Sequence, residues 1–205
     1  TPDLPGHGSR AATAFSLDAS IDTIRGVIRE SFGDRPCLLV GLSLGGYVTI
    51  AFTERYPALV AGLVISGTSV EPRSVAPAFI ATELVLRLVP LAVLGMVSGI
   101  AVRIVYPRVA DALLRPGIAF RAAADGLAAV RHVAFCPLVA TFQCPVLLLN
   151  GRFDLLFRLG ERRFLAATQS GRLSIIGRAG HGAPFDQPLA FAAAVRRFHA
   201  SLGGP

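Results

Sequence analysis

Pro36-Cys37-Leu38-Leu39-Val40-Gly41-Leu42-Ser43-Leu44-Gly45-Gly46 decides the reading of this chain. The first half is a short apolar run of the kind that forms a strand buried on both faces. The second half fits G-x-S-x-G and leads into a helical pattern. Together they describe a sharp strand-to-helix turn that pushes a serine outward, the setting of a nucleophile elbow. Such a turn strains the backbone at Ser43. Small residues at Gly41 and Gly45 let the strand and the helix come close enough to hold it.

The same rhythm continues on both sides. Pro36 to Leu42 reads as a strand and Leu44 to Tyr56 as the helix behind it, stopped at Pro57. Val60 to Ser66, Pro145 to Asn150 and Arg172 to Ile176 read as further strands, and Arg158 to Thr168 and Pro188 to Leu202 as helices. Ahead of the first strand, Ile21 to Phe32 is amphipathic, with Ile21, Ile24, Val27 and Ile28 on one face. Continuous Val/Leu/Ile runs separated by helices predict an α/β architecture with a mostly parallel sheet covered on both faces.

The stretch from 71 to 142 breaks that rhythm. It holds no convincing strand, is punctuated by Pro72, Pro77, Pro90, Pro107, Pro116 and Pro137, and is apolar on most helical faces from Phe79 to Tyr106. The expected organisation is a core in two parts, residues 1–70 and 143–205, with a helical cap or lid, residues 71–142, inserted between them. Leu88 to Val102 carries no charge, but it is shorter than the about 20 residues a spanning helix needs, and Pro90 and Gly95 weaken it further. It is read as a buried or half-buried lid helix in preference to one that touches a membrane.

Composition narrows the function. Of 205 residues 53% are hydrophobic and 16% charged, which excludes disorder. The net charge is +7, yet every basic residue is Arg and only Arg162-Arg163 and Arg196-Arg197 are adjacent. Without a basic run or interleaved aromatics there is no footprint for nucleic acid. Cys37, Cys136 and Cys144 lack metal-ligand or C-x-x-C spacing and are odd in number. They are read as free thiols of a reducing, cytoplasmic compartment.

A serine nucleophile needs a base to take its proton and a carboxylate to orient that base. Asp154 stands just past the strand Val146-Leu147-Leu148-Leu149, and His181 just past the strand ending near Ile176. Nucleophile, acid and histidine thus follow in that order, each at the carboxyl end of a strand. Asp154 as a helix N-cap and His181 as a turn residue are the bland readings. Asp186 is read as the N-cap of the last helix, His7 as shaping its loop and His132 as part of the insertion. His199 lies in a terminal helix, and Gly67-Thr68-Ser69, after the second strand, offers no alternative carboxylate.

In these motifs the chain resembles the α/β-hydrolase superfamily. Asp3-Leu4-Pro5-Gly6-His7-Gly8-Ser9 matches the D-x-P-G-x-G-x-S loop of such proteins, Gly41 to Gly46 their elbow, Gly151-Arg152-Phe153-Asp154 their acid loop and Gly180-His181 their histidine loop. The resemblance implies Ser43 as nucleophile, Asp154 as orienting acid, His181 as general base and the Leu44 backbone N–H as one oxyanion-hole donor. It implies a small-molecule ester or related acyl substrate, made lipophilic by the apolar cap, and neither a metal nor an organic cofactor.

Members of the family carry three strands and a helix before the loop at which this sequence starts. The resemblance therefore predicts a truncated chain without the loop of the second oxyanion donor, its elbow strand left at an exposed apolar edge. Two rival readings follow from these features: a non-catalytic, ligand-binding remnant, and a lipase-like protein anchored through its cap.

Overall fold

The computed structural model describes residues 1–203. Four parallel strands, β1 (Cys37–Leu42), β2 (Val60–Ser66), β3 (Val146–Gly151) and β4 (Gly171–Ile176), pair in the order β1-β2-β3-β4. All four predicted strands are present, each within a residue or so of its expected bounds. The register runs from Leu38↔Gly62 through Val64↔Leu147 to Leu148↔Leu173.

Helix α1 (Leu17–Phe32) precedes β1, and α2 (Leu44–Arg55) follows it directly. The side chain of Ser16 accepts the Ala19 N–H at the start of α1, and Gly33 closes the helix in the left-handed conformation, φ 56°. Between β2 and β3 the chain is helical: α3 (Ala76–Leu88), α4 (Leu91–Val105), α5 (Ala110–Leu114), α6 (Phe120–Val130) and α7 (Phe135–Val139). After β3 come α8 (Leu155–Arg158) and α9 (Glu161–Ala167), and after β4 α10 (Ala183–Asp186) and α11 (Pro188–Ala200).

Strand alternation divides the core into two layers. Leu63, Ile65, Val146 and Leu148 point to the layer of α1, α2, α6 and α7, where Ile21, Ile28, Phe52 and Phe135 are buried. Val64, Leu147 and Leu149 point the other way, onto Ala194 and Phe198 of α11. β3 is buried throughout. β1 and β4 are the edge strands among the described residues, and Val40 of β1 is 45% exposed. Thr1, Pro2 and Leu4 help line a groove of about 300 Å³ along β1.

Two expectations need correction. The predicted helix 158–168 is shorter than expected, running as α9 from Glu161, with Arg158 closing the separate short helix α8 and Gly160 packed so tightly on the Ser69 carbonyl that no side chain would fit. The apolar stretch read as a buried or half-buried lid helix forms α4, of which only Leu94 is buried.

Candidate active site

Ser43 sits between β1 and α2 with φ 53° and ψ −119°. Among the described residues only Asp34, Ser43 and Arg178 are non-glycine residues at positive φ. Such a conformation costs about 1–3 kcal/mol and persists only where its surroundings enforce it. Here they do. The Ser43 N–H donates to the Ser66 carbonyl at 2.8 Å, and the Ser43 carbonyl accepts from the N–H groups of Gly46 and Tyr47. The Thr68 hydroxyl lies 3.1 Å from the same carbonyl and 3.0 Å from that of Ser66.

The elbow's glycines divide their work unlike the expectation. A Cβ at Gly41 would stand 2.5 Å from the Gly45 carbonyl and 2.6 Å from Gly46 Cα, and one at Gly46 would collide with the Thr68 side chain. One at Gly45 would meet open space. Gly41 and Gly46, not Gly45, permit the close packing. The Leu44 and Gly45 N–H groups, which open α2, have no intrahelical acceptor and lie at the positive end of the helix dipole.

Asp154 follows β3 and is 6% exposed. It occupies the N-cap position of α8, but its side chain caps nothing. Its Oδ2 instead lies 3.0 Å from His181 Nδ1. The loop carrying it is pinned to the end of β4, the Arg152 N–H donating to the Ile176 carbonyl at 2.9 Å and the Phe153 N–H to the Ala179 carbonyl at 2.8 Å. The His181 ring stacks on Phe157 with centroids 4.6 Å apart. The structure thus joins the predicted acid and histidine. Among the described residues no hydrogen bond joins the Ser43 side chain to either, and the loop after β2 links the two halves. Its Gly67 packs against His181 and Asp154, and its Thr68 against the Ser43 carbonyl.

That loop is held by residues sequence reasoning missed. Asn150, wholly buried at the end of β3, accepts the Gly67 N–H through Oδ1 at 2.9 Å. Its Nδ2 donates to Ser69 Oγ and to Glu161 Oε1. Glu161 is paired with Arg158 at 3.0 Å, and Arg158 Nη1 donates to the Arg152 carbonyl in the acid loop. An amide closing an otherwise apolar strand was the available signal. Glu71, a buried carboxylate not singled out in the sequence, accepts the N–H groups of Phe135 and Cys136, each at 2.9 Å. Tyr47 donates to the Val70 carbonyl at 2.8 Å, and burial, aided by the Glu71 and Asp154 carboxylates, pushes its hydroxyl pKa upward.

Other readings sort as follows. Asp186 does not cap the last helix: Gln187 holds the N-cap position, and Asp186 Oδ2 accepts the Gly180 N–H at 2.7 Å beside His181. His7 Nδ1 lies 3.0 Å from the Pro5 carbonyl within its own loop. His132 lies between α6 and α7, and His199 in α11. Cys37, Cys136 and Cys144 are unbridged, and burial raises their thiol pKa values. Among the described residues no group of three or more His, Cys, Asp or Glu is placed to hold a metal.

The helices between β2 and β3 reach the site at two points. Gly126 of α6 packs on Leu44, where a Cβ would stand 2.5 Å from Leu44 Cδ2. Tyr106, at the end of α4, lays its hydroxyl against Gly182 and packs edge-on against Phe185.

A serine on a strained strand-to-helix turn and an Asp–His pair at neighbouring strand ends, on a parallel sheet flanked by helices, define an α/β-hydrolase type of protein. The sequence profile described as "Alpha/beta hydrolase family" matches residues 1–194, and the chain belongs to that family. It is 38% identical over 69 residues to a pimeloyl-[acyl-carrier protein] methyl ester esterase of Aromatoleum aromaticum (strain DSM 19018 / LMG 30748 / EbN1), a match covering 34% of this chain and 26% of that relative. The matched stretches span only about a quarter of the length of such curated relatives. Among solved structures, MenH from S. aureus superposes with a TM-score of 0.79 at 17% identity, over 98% of this chain and 82% of that one. A thermophilic esterase from Thermogutta terrifontis does so with a TM-score of 0.73 at 22% identity, over 93% and 74%. These likenesses establish the fold.

Proposed function

We propose that this protein is a serine hydrolase of carboxylic esters or related acyl compounds, acting through an acyl-enzyme at Ser43. The observation that carries this reading is the buried Asp154 carboxylate on His181 Nδ1. That contact fixes the tautomer that leaves Nε2 free to accept a proton. His181 takes the Ser43 hydroxyl proton as Oγ attacks the acyl carbon. The Leu44 N–H, at the amino end of α2, stabilises the oxyanion, and the protonated imidazole returns its proton to the departing alcohol. Water then repeats the sequence on the acyl-enzyme. The contacts of Gly126 with Leu44 and of Tyr106 with Gly182 support the segment 71–142 acting as a cap over this site. Its apolar composition favours a lipophilic acyl or alcohol portion.

A fluorophosphonate probe tests the assignment. The wild-type chain labels and Ser43→Ala does not; labelling that persists in Ser43→Ala overturns it. One observation favours a second reading, ligand binding without turnover: the Ser43 side chain has no hydrogen bond to His181. A folded chain that never labels selects that reading.

A further inference from the structure

Helices α3 and α4 leave most of their apolar side chains in water. An amphipathic helix on a globular domain turns its apolar stripe inward and its polar one to water. On α4, Leu94 alone is buried, while Met96, Ile100 and Ile104 form an outward stripe at helical spacing. They are 61%, 56% and 73% exposed. On α3, Ile80, Leu84 and Leu88 follow one another at intervals of four residues and are likewise exposed, Leu88 by 76%. The helix axes turn by 119° at Val89-Pro90, so the two stripes meet at a projecting elbow. Neither helix is long and apolar enough to cross a membrane.

The charges around this elbow are one-sided. From Leu84 to Ala110 the only charged residues are Arg87, Arg103 and Arg108. The neighbouring acids are already paired: Glu83 with Arg87 and Arg131, Asp125 with Arg87, and Asp111 with Arg103. Arg108, Arg115 and Arg121 have no ion pair among the described residues. Arg121 lines a groove of about 490 Å³ with Leu88, Pro90 and Leu91 at the tip of the elbow. Arg108 lies beyond the far end of α4, in a cleft with Phe185 and Asp186, so the cationic side chains of the patch are Arg87 and Arg121 at its tip, with Asp125 beside them, and Arg103 along α4.

We infer that the α3–α4 elbow is a docking surface for an anionic lipid bilayer. The exposed side chains enter the boundary between headgroups and acyl chains, and Arg121, flanked by Arg87 and Arg103, holds lipid phosphates. A second copy of this chain, also at +7, would bring the same arginines against them and offers no such complement. The inference does not depend on the hydrolytic reading, and its test does not read activity.

The test is co-sedimentation of the full chain with phosphatidylcholine vesicles, with and without phosphatidylglycerol. Binding is expected to need phosphatidylglycerol and to weaken as salt rises. Ile100→Asp combined with Ile104→Asp should weaken partitioning about 100-fold or more by removing buried apolar surface and adding like charge. Arg121→Ala should weaken it about fivefold. Both positions of the double variant face outward, so its circular dichroism should match wild type; Leu88→Asp repeats the test on α3. A wild-type chain that stays in the supernatant with phosphatidylglycerol vesicles overturns the inference, as does binding unchanged in the variants. Sedimentation as a dimer that the same substitutions dissolve, without vesicle binding, assigns the face to a second copy instead.

Discussion

Replacing Gly67 with alanine should slow catalysis without removing any group that takes part in it. A Cβ at Gly67 would stand 2.7 Å from His181 Cε1, 2.8 Å from Nδ1 and 3.3 Å from Asp154 Oδ2. Ordinary carbon contacts need about 3.5 Å, so the imidazole has to retreat by about 0.8 Å. A misplacement of about 1 Å in a catalytic constellation costs about 100-fold in rate, or about 2.7 kcal/mol of barrier. Gly67 also has φ 59°, where a side chain adds about 1–2 kcal/mol of backbone strain. In a protein of this size that strain lowers Tm by about 2–8 °C. Steady-state hydrolysis of p-nitrophenyl esters should show kcat down about 100-fold with KM within about twofold, because the methyl group touches the proposed base and acid. A folded Gly67→Ala protein with wild-type kcat would refute the view that this glycine sets the position of His181.

Other outcomes follow from the same geometry. Asp154→Asn should leave the fold intact and lower kcat by about 10⁴, since the amide favours the wrong imidazole tautomer; a loss under about tenfold by the same ester assay counts against its role. Asn150→Leu strands the Gly67 N–H and the Ser69 and Glu161 side chains, and chemical denaturation should show a loss of about 3 kcal/mol or more. The Asp3 carboxyl is held below its usual range by the Ser9 N–H and hydroxyl. A depressed carboxylate contributes stability above its unfolded pKa and loses it as pH falls through the folded one. Asp3→Asn, which removes the titrating carboxyl, should therefore flatten the acid limb of stability measured by denaturation from pH 5 downward to about pH 2, while Ser9→Ala, which keeps the N–H, should flatten it only in part.

The frame of the fold was legible because its signals are local. Val60 to Ser66 is apolar without interruption, and the strand matches that reading end to end. The Asp–His contact was legible for a related reason, since in a parallel sheet residues that follow successive strands converge at one edge. The edge position of β1 likewise matches expectation. What stayed hidden depends on approach between distant segments. Nothing in Arg158 to Thr168 announces that the Ser69 carbonyl will press on Gly160 just ahead of α9. α4 is apolar on every side, so its periodicity could not say which face turns outward. The roles of Asn150, Glu71 and Asp186 rest on partners that only the folded chain supplies, Glu71 reaching Phe135 across 64 positions of sequence.

The helical segment between β2 and β3 also orders the assembly of the sheet. β1 and β2 are joined through α2 and a single 3-10 turn (Pro57–Leu59), and β3 and β4 through α8 and α9, so each pair closes a short loop. β2 and β3 meet only when about 80 residues have been looped out. Lengthening a loop fourfold, from about 20 residues, adds about 1.2 kcal/mol of closure entropy. Long-range parallel pairing of this kind is slow to form. The β2–β3 seam is therefore expected to close last, when β3, apolar from Val146 to Leu149, meets β2. Shortening the segment at its exposed elbow would speed that last step while leaving the native pairing as it is.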